Sequence, residues 1–152
     1  MKILVDTNVI LRSSQPASSR HSVAIAALTR LAKAGHEPCL VPQTIYEYRV
    51  VATRPVSVSG PGMNGTDVDQ QIQELLQHFT LLRDERGIFS RWYEFVVTHR
   101  VHGKLAHDAR LVAAMERHRL TNLLTFNKPD FERFSAIHAL SPDDILAGVM
   151  PV

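Results

Sequence analysis

The sequence contains a single cysteine, Cys39, among 152 residues, so no internal disulfide can form. It has no apolar run long enough to span a bilayer. At the amino end Lys2 precedes only Ile3, Leu4 and Val5 before Asp6 interrupts them, which does not read as a secretory signal. These features together predict a cytoplasmic protein, with Cys39 an inert core thiol beside Leu40 and Val41. Several catalytic signatures are missing as well. There is no GxSxG, which excludes an esterase elbow. There is no GxxxxGK followed by Ser or Thr; Gly60-Pro61-Gly62 and Gly65 follow no strand and lack the lysine, which excludes a nucleotide P-loop. The eight histidines form no HExxH or other metal spacing and read mostly as surface residues. Asn8 stands where a phosphatase with an aspartyl nucleophile would carry the second aspartate of a DxD start. No charge sign dominates: Lys and Arg total 17, Asp and Glu 15, and the net charge of +2 does not by itself establish nucleic-acid binding.

What is present is ordinary for one globular domain spanning 1–152: 45% hydrophobic and 21% charged residues, at a length that supports a full core. Arginine outnumbers lysine 13 to 4. Arginine can grip a phosphate through two parallel hydrogen bonds, although solvated helix faces account for such a bias equally well. Ile3-Leu4-Val5 suits a strand buried on both faces, and the capping types in Asp6-Thr7-Asn8 predict a helix start. Helices are expected over Arg20–Ala34, closed by Gly35, and over Pro42–Thr53, opened by its proline. Arg54–Thr66, with its prolines and glycines, reads as a loop, a plain linker or a contact segment for substrate or partner. Further helices follow: from a cap at Thr66 or Asp67 to Gln77, over Asp84–His99, and over Leu105–His118. Short strands are expected at Pro38–Val41, Phe79–Leu82, Asn122–Thr125 and Ala136–Leu140. Asn127–Phe131 reads as a loop, and Ser141 caps a last short helix with Asp144 three residues on. Strands alternating with amphipathic helices predict an α/β domain with a mainly parallel sheet between helical layers.

In such sheets ligands bind beyond the carboxyl ends of the strands. Asp6, Glu47, Asp108 and Asn127 all fall at that edge, with Asp130 just beyond. Each has a plainer reading alone: Asp6 as a helix cap, Glu47 as an exposed helical acid, Asp108 as a partner of its helix dipole, Asn127 as a turn residue, Asp130 as a cap. Their recurrence at one edge suggests a shared role. Clustered carboxylates repel one another, and a divalent cation removes that repulsion; hard oxygen donors suit Mg²⁺ or Mn²⁺. An acidic cluster without histidine or cysteine therefore suits phosphodiester cleavage better than zinc hydrolysis.

Four segments carry a resemblance to a known family: Ile3–Leu11, Val41–Tyr48, His107–Ala113 and Leu123–Phe131. In order and spacing they resemble the acidic motifs of the PIN-domain nucleases, in particular the VapC-type toxins of bacterial toxin–antitoxin pairs, over nearly the whole chain. The resemblance implies a sheet of about five strands in a three-layer α/β/α domain, and a metal-dependent ribonuclease. It also implies Asp6, Glu47 and Asp108 as the acidic core, with Asp6 and Asp108 as metal ligands and Glu47 and Asp130 as further candidates for Mg²⁺ or Mn²⁺. Asn127 occupies the place of a fourth acid and adds no negative charge. Thr7, Asn8 and Thr125 are candidate positioning residues, and Arg110 and Lys104 candidate contacts for RNA phosphate. A homodimer, a small antitoxin that blocks the site, and cleavage leaving 5′-phosphate and 3′-hydroxyl ends are implied too. The competing expectation is a PIN-like module that binds RNA or protein without cutting.

Overall fold

The apolar run at the amino end becomes the central strand, β1 (Lys2–Val5), in a computed structural model that describes all 152 residues. Side chains alternate faces along a strand, so Ile3 and Val5 enter one core and Leu4 the other. The same division recurs in β2 (Glu37–Leu40) and β4 (Asn122–Leu124): Leu40 and Leu124 face the first core, Cys39 and Leu123 the second. Strands loaded on both faces need helices on both sides. The first core is covered by α1 (Thr7–Ser13), α2 (His21–Lys33), α3 (Pro42–Ala52), α4 (Gly65–His78) and the short α7 (Pro142–Leu146). The second is covered by α5 (Gly87–Thr98) and α6 (Leu105–Arg117). With β3 (Thr80–Leu81) and β5 (His138–Leu140) the sheet has five strands in the order β3-β2-β1-β4-β5. Every neighbouring pair is parallel. The expected three-layer α/β/α architecture is therefore present.

This order fixes where a site can form. The chain leaves β1 outward to β2 and β3, then returns to place β4 on the other side of β1. The strand order reverses between β1 and β4, and the helices that follow diverge there, opening a crevice beyond the strands' carboxyl ends. Asp6 and Thr125 are the residues just past those two ends.

Several boundaries differ from the sequence reading for physical reasons. The edge strand β3 is only two residues long. α5 starts at Gly87 rather than Asp84, because Asp84 and Glu85 are drawn instead into ion pairs with Arg110 and Arg117 of α6. α4 is capped by Asn64, not by Thr66 or Asp67: Asn64 Oδ1 accepts the Asp67 amide (2.9 Å) and Asn64 Nδ2 donates to the Asp67 carboxylate (2.8 Å). The segment before it folds back on itself. Gly62 N donates to Arg54 O (2.9 Å), and a Cβ on Gly60 would lie 2.1 Å from the same oxygen, so only glycine fits. Ser141 does cap α7, as a full capping box with Asp144.

The capping assignment has a direct test. Asn64→Ala should lower the unfolding free energy by about 1 kcal/mol, whereas exposed Thr66→Ala should change it by less than about 0.5 kcal/mol. Urea denaturation followed by circular dichroism reads both; equal losses would reject Asn64 as the cap.

Candidate active site

Asp6 leaves β1 with its backbone amide donating to Leu124 O (2.9 Å), which ties it across the point where the strand order reverses. Its side chain occupies the cap position of α1 but makes no capping hydrogen bond, so the plainer reading of this residue does not hold. Instead Oδ2 accepts from Thr125 Oγ1 (2.6 Å) and Asn8 Nδ2 (2.8 Å). Asn8 Nδ2 also donates to Thr125 Oγ1 (3.1 Å), and Asn8 Oδ1 accepts the Phe126 amide (3.0 Å). Asn8 and the fully buried Thr125 thus pin the carboxylate between the two strand ends. Asp6 itself is 8% exposed. Burial pushes its pKa up to about 6; the Thr125 hydroxyl pulls it down, the Glu47 charge pushes it up, and the backbone N–H groups of Thr7 and Asn8 pull it down.

Glu47 comes from α3, one turn beyond Gln43. Both its oxygens are held: Oε2 accepts from Thr7 Oγ1 (3.0 Å) and Oε1 from Gln43 Nε2 (2.8 Å). Gln43 is 6% exposed and uses its whole amide. Nε2 donates a second hydrogen bond to His107 O (2.8 Å), and Oε1 accepts from Arg110 Nη1 (3.1 Å). Arg110 in turn reaches Asp84 (3.2 Å). A continuous chain of polar contacts therefore runs from Asp84 through Arg110 and Gln43 to Glu47 and Thr7, joining α3 to α6. The oxygen and nitrogen of the Gln43 amide are distinguished by these partners, since only the nitrogen can donate to a carboxylate and a carbonyl. The His107 ring stands 3.6 Å from Glu47 on its solvent side.

Asp108 lies in the first turn of α6, whose start is anchored by Trp92 Nε1 donating to Ala106 O (2.8 Å) and by the Gln43 contact to His107. Burial pushes the Asp108 pKa up to about 7, and the charges of Asp6, Asp130 and Glu47 add to that rise, against a smaller pull downward from Lys104. All four acids line one cleft of about 730 Å³, together with Thr7, Asn8, Asn127, Lys104 and Arg110. Thr125 does not line it; it lies beneath Asp6. Asn127 is exposed at the cleft wall, its backbone amide donating to Thr125 Oγ1 (3.0 Å). Lys104 takes part in no ion pair, whereas the Arg110 guanidinium is committed to Asp84 and Gln43.

The donor set suits a hard divalent cation: oxygen ligands only, with Asp6 and Asp108 raised above the ordinary carboxylate range by burial first and by the charges of neighbouring acids second. No three acidic, imidazole or thiol groups stand close enough to enclose an ion. The arrangement therefore fits an ion held by one or two carboxylates with water and substrate oxygens completing its shell, which is the usual habit of Mg²⁺.

Sequence reasoning missed Gln43, Asp84 and the exposed cleft residues Tyr46 and Val50, whereas Arg54 opens the segment read there as a linker or a contact for substrate or partner. Gln43 gave one usable signal, its position four residues before Glu47 on the same helix, which puts the two side chains on one face. Nothing local foretold its burial.

Solved structures share this fold. VapBC-1 from nontypeable Haemophilus influenzae aligns with a TM-score of 0.71 at 15% identity, covering 94% of this chain and 99% of that one. A toxin–antitoxin complex from Klebsiella pneumoniae aligns at 0.62 and 22% identity, covering 92% and 97%. VapC20 of Mycobacterium tuberculosis, described as a Sarcin-Ricin loop cleaving toxin, aligns at 0.62 and 16% identity, covering 99% and 98%. No curated protein matches the chain by sequence. The sequence model of the PIN domain matches residues 3–137, a span that includes Asp6, Glu47, Asp108 and Asn127, and the chain belongs to the PIN domain family.

Proposed function

We propose that this chain is a metal-dependent endoribonuclease, the toxin of a toxin–antitoxin pair, that hydrolyses RNA phosphodiester bonds in the Asp6–Asp108 cleft with Mg²⁺ or Mn²⁺. One observation carries the reading: buried Asp6 and half-buried Asp108 line one cleft with Glu47 where the strand order reverses, both raised above the ordinary carboxylate range, a cost that a cation would relieve. The neighbours support the biological setting, since they include toxin–antitoxin complexes and an RNA-cleaving toxin.

Asp6 and Asp108 would hold the ion. When bound, it would supply Lewis acidity, polarising the phosphate and offsetting charge in the transition state. Glu47, gripped through both oxygens by Thr7 and Gln43, orients the attacking water and accepts its proton. The water oxygen bonds to phosphorus in line as the bond to the 3′ oxygen breaks, leaving a 5′-phosphate and a 3′-hydroxyl. Lys104, free of ion pairs, meets a substrate phosphate; Arg110 acts on Glu47 through Gln43 rather than on RNA. Asn127 offers a neutral amide oxygen and Asp130 a carboxylate at the cleft wall. We further propose a homodimer in the cytoplasm, silenced by an antitoxin that occupies the cleft.

Asp6→Ala and Asp108→Asn should each reduce RNA cleavage about a hundredfold or more while preserving the circular dichroism spectrum. Normal cleavage by both would show the site to be misassigned. The second reading, a PIN-like module that binds RNA or protein without cutting, draws on the uncharged Asn127. A titration with Mg²⁺ and Mn²⁺ read on RNA gels separates the two, and no cleavage with either ion would favour the module.

Gln43→Leu should lower kcat about 10- to 100-fold, the usual cost of losing a group that orients a metal-site residue. An unchanged kcat would remove Gln43 from the mechanism.

The raised carboxylates also set a pH dependence. Groups whose folded pKa exceeds the ordinary value of 3.8 bind protons more tightly when folded, so they favour the fold most at low pH. Their contribution is lost as pH rises from about 4 through about 7. Mg²⁺ competes with those protons, so the rise in Tm on adding Mg²⁺ should be larger at pH 8 than at pH 5, and Asp108→Asn should flatten the difference. A Tm shift of equal size at both pH values would argue against these carboxylates as the ion's ligands.

A further inference from the structure

The inner face of α3 buries Thr44, Tyr48 and Ala52. On another face stand Tyr46 and Val50, 63% and 64% exposed, followed four residues later by Arg54. A spacing of four places Tyr46 and Val50 along one side of α3, and Arg54 follows two residues beyond its end at Ala52. All three line the same cleft as the acids, and Tyr46 directly precedes Glu47. No part of the chain covers this apolar strip. Arg54 makes no ion pair, and its backbone position is set by the glycine-dependent fold-back of the following segment. Lys104 is a second unpaired cation on the cleft wall. The cleft thus combines a half-exposed aromatic ring, an aliphatic patch and two uncompensated cations beside the acids. A ligand matching all of them has a flat apolar part and more than one negative charge.

We propose that Tyr46, Val50 and Arg54 form a subsite for one unpaired nucleotide adjoining the phosphate that is cut, with its base on the Tyr46 ring, its sugar against Val50 and its phosphate at Arg54. This rests on the nuclease reading above and deepens it by assigning the hold on one nucleotide to these three residues; the nucleotide is unpaired because a paired base has no free face to offer. Stacking is tolerant of base identity, so the subsite selects unpaired segments rather than a sequence. Two cations on phosphates make binding fall with salt.

The test uses the full chain and single-stranded oligoribonucleotides carrying the fluorescent base 2-aminopurine at successive positions, in EDTA so that binding is read apart from cleavage. Wild type and Tyr46→Phe should quench the fluorescence at one position, as stacking does. Tyr46→Ala should lose the quenching and bind about tenfold or more weakly, and Arg54→Ala should weaken binding and reduce its salt dependence. Annealing the complementary strand should weaken binding similarly. Tyr46 is exposed, so its replacement leaves the fold intact. Quenching unaffected by Tyr46→Ala, binding without quenching, or no binding would each overturn the subsite. So would a Tyr46→Ala protein that holds RNA normally but loses a protein partner, since the strip would then be a protein-docking face. Cleavage assays with Mg²⁺ run in parallel keep the two readings distinct. Quenching without cleavage sinks the nuclease and leaves the subsite; cleavage without quenching does the reverse.

Discussion

The constraint on which this molecule turns is the burial of Asp6 in a cleft that it shares with the half-buried Asp108. A carboxylate taken out of water is destabilised, and a second one facing the same cavity worsens the cost for both. Both acids accordingly sit well above the ordinary carboxylate range, at about 6 and about 7, with burial the leading cause for each. The hydrogen bonds from Thr125 and Asn8 only partly offset this at Asp6. A fold does not stabilise itself by such a pair, so the surrounding structure has to bear it.

It does so through two separate cores. Each central strand feeds both, so the sheet is clamped by apolar packing on either side, and fully burying each leucine or isoleucine contributes roughly 2 kcal/mol. The crevice then costs no core. It arises where β1 and β4 send their chains to opposite sides, a consequence of strand order alone. Polar contacts then set the direction of Asp6 and Glu47 within the crevice. Thr125 and Asn8 bind Asp6 to the strand ends. Gln43 and Thr7 bind Glu47 to α6 and to α1. The acids are therefore placed by side chains that are themselves fixed, which is what a site needs if little reorganisation is to accompany reaction.

Much of the fold was legible in the sequence because its signals are local. Ile3-Leu4-Val5 reads as a strand buried on both faces, and Ser141 with Asp144 reads as a capping box; both are present. The positions of Asp6 just past a strand, Glu47 in the second turn of a helix and Asp108 in the first turn of another were legible too, and all three line one cleft. What escaped depends on partners distant in the chain. Asp84 reads as a helix start until Arg110, 26 residues away, claims its carboxylate. Gln43 is buried only once α6 packs against α3 and His107 O accepts its amide. Asn64 was passed over because the glycine after it looks like loop, although its side chain caps the helix. Arg110 looked like a free phosphate contact for the same reason: its two partners are remote in sequence.

The same contrast explains why the cleft is lopsided. Asp6 and Glu47 are tied to neighbouring elements, whereas Tyr46, Val50, Lys104 and Arg54 on its walls are exposed and tied to little. A protein gains nothing in stability from an aromatic ring left in water, and unpaired cations beside acids are the ones most readily offered to another anion. The acids are held still by the fold, while the remaining lining is available to a ligand. The rigid half is suited to act on one bond and the open half to hold what lies on either side of it, a division that fits a polymer better than a small molecule.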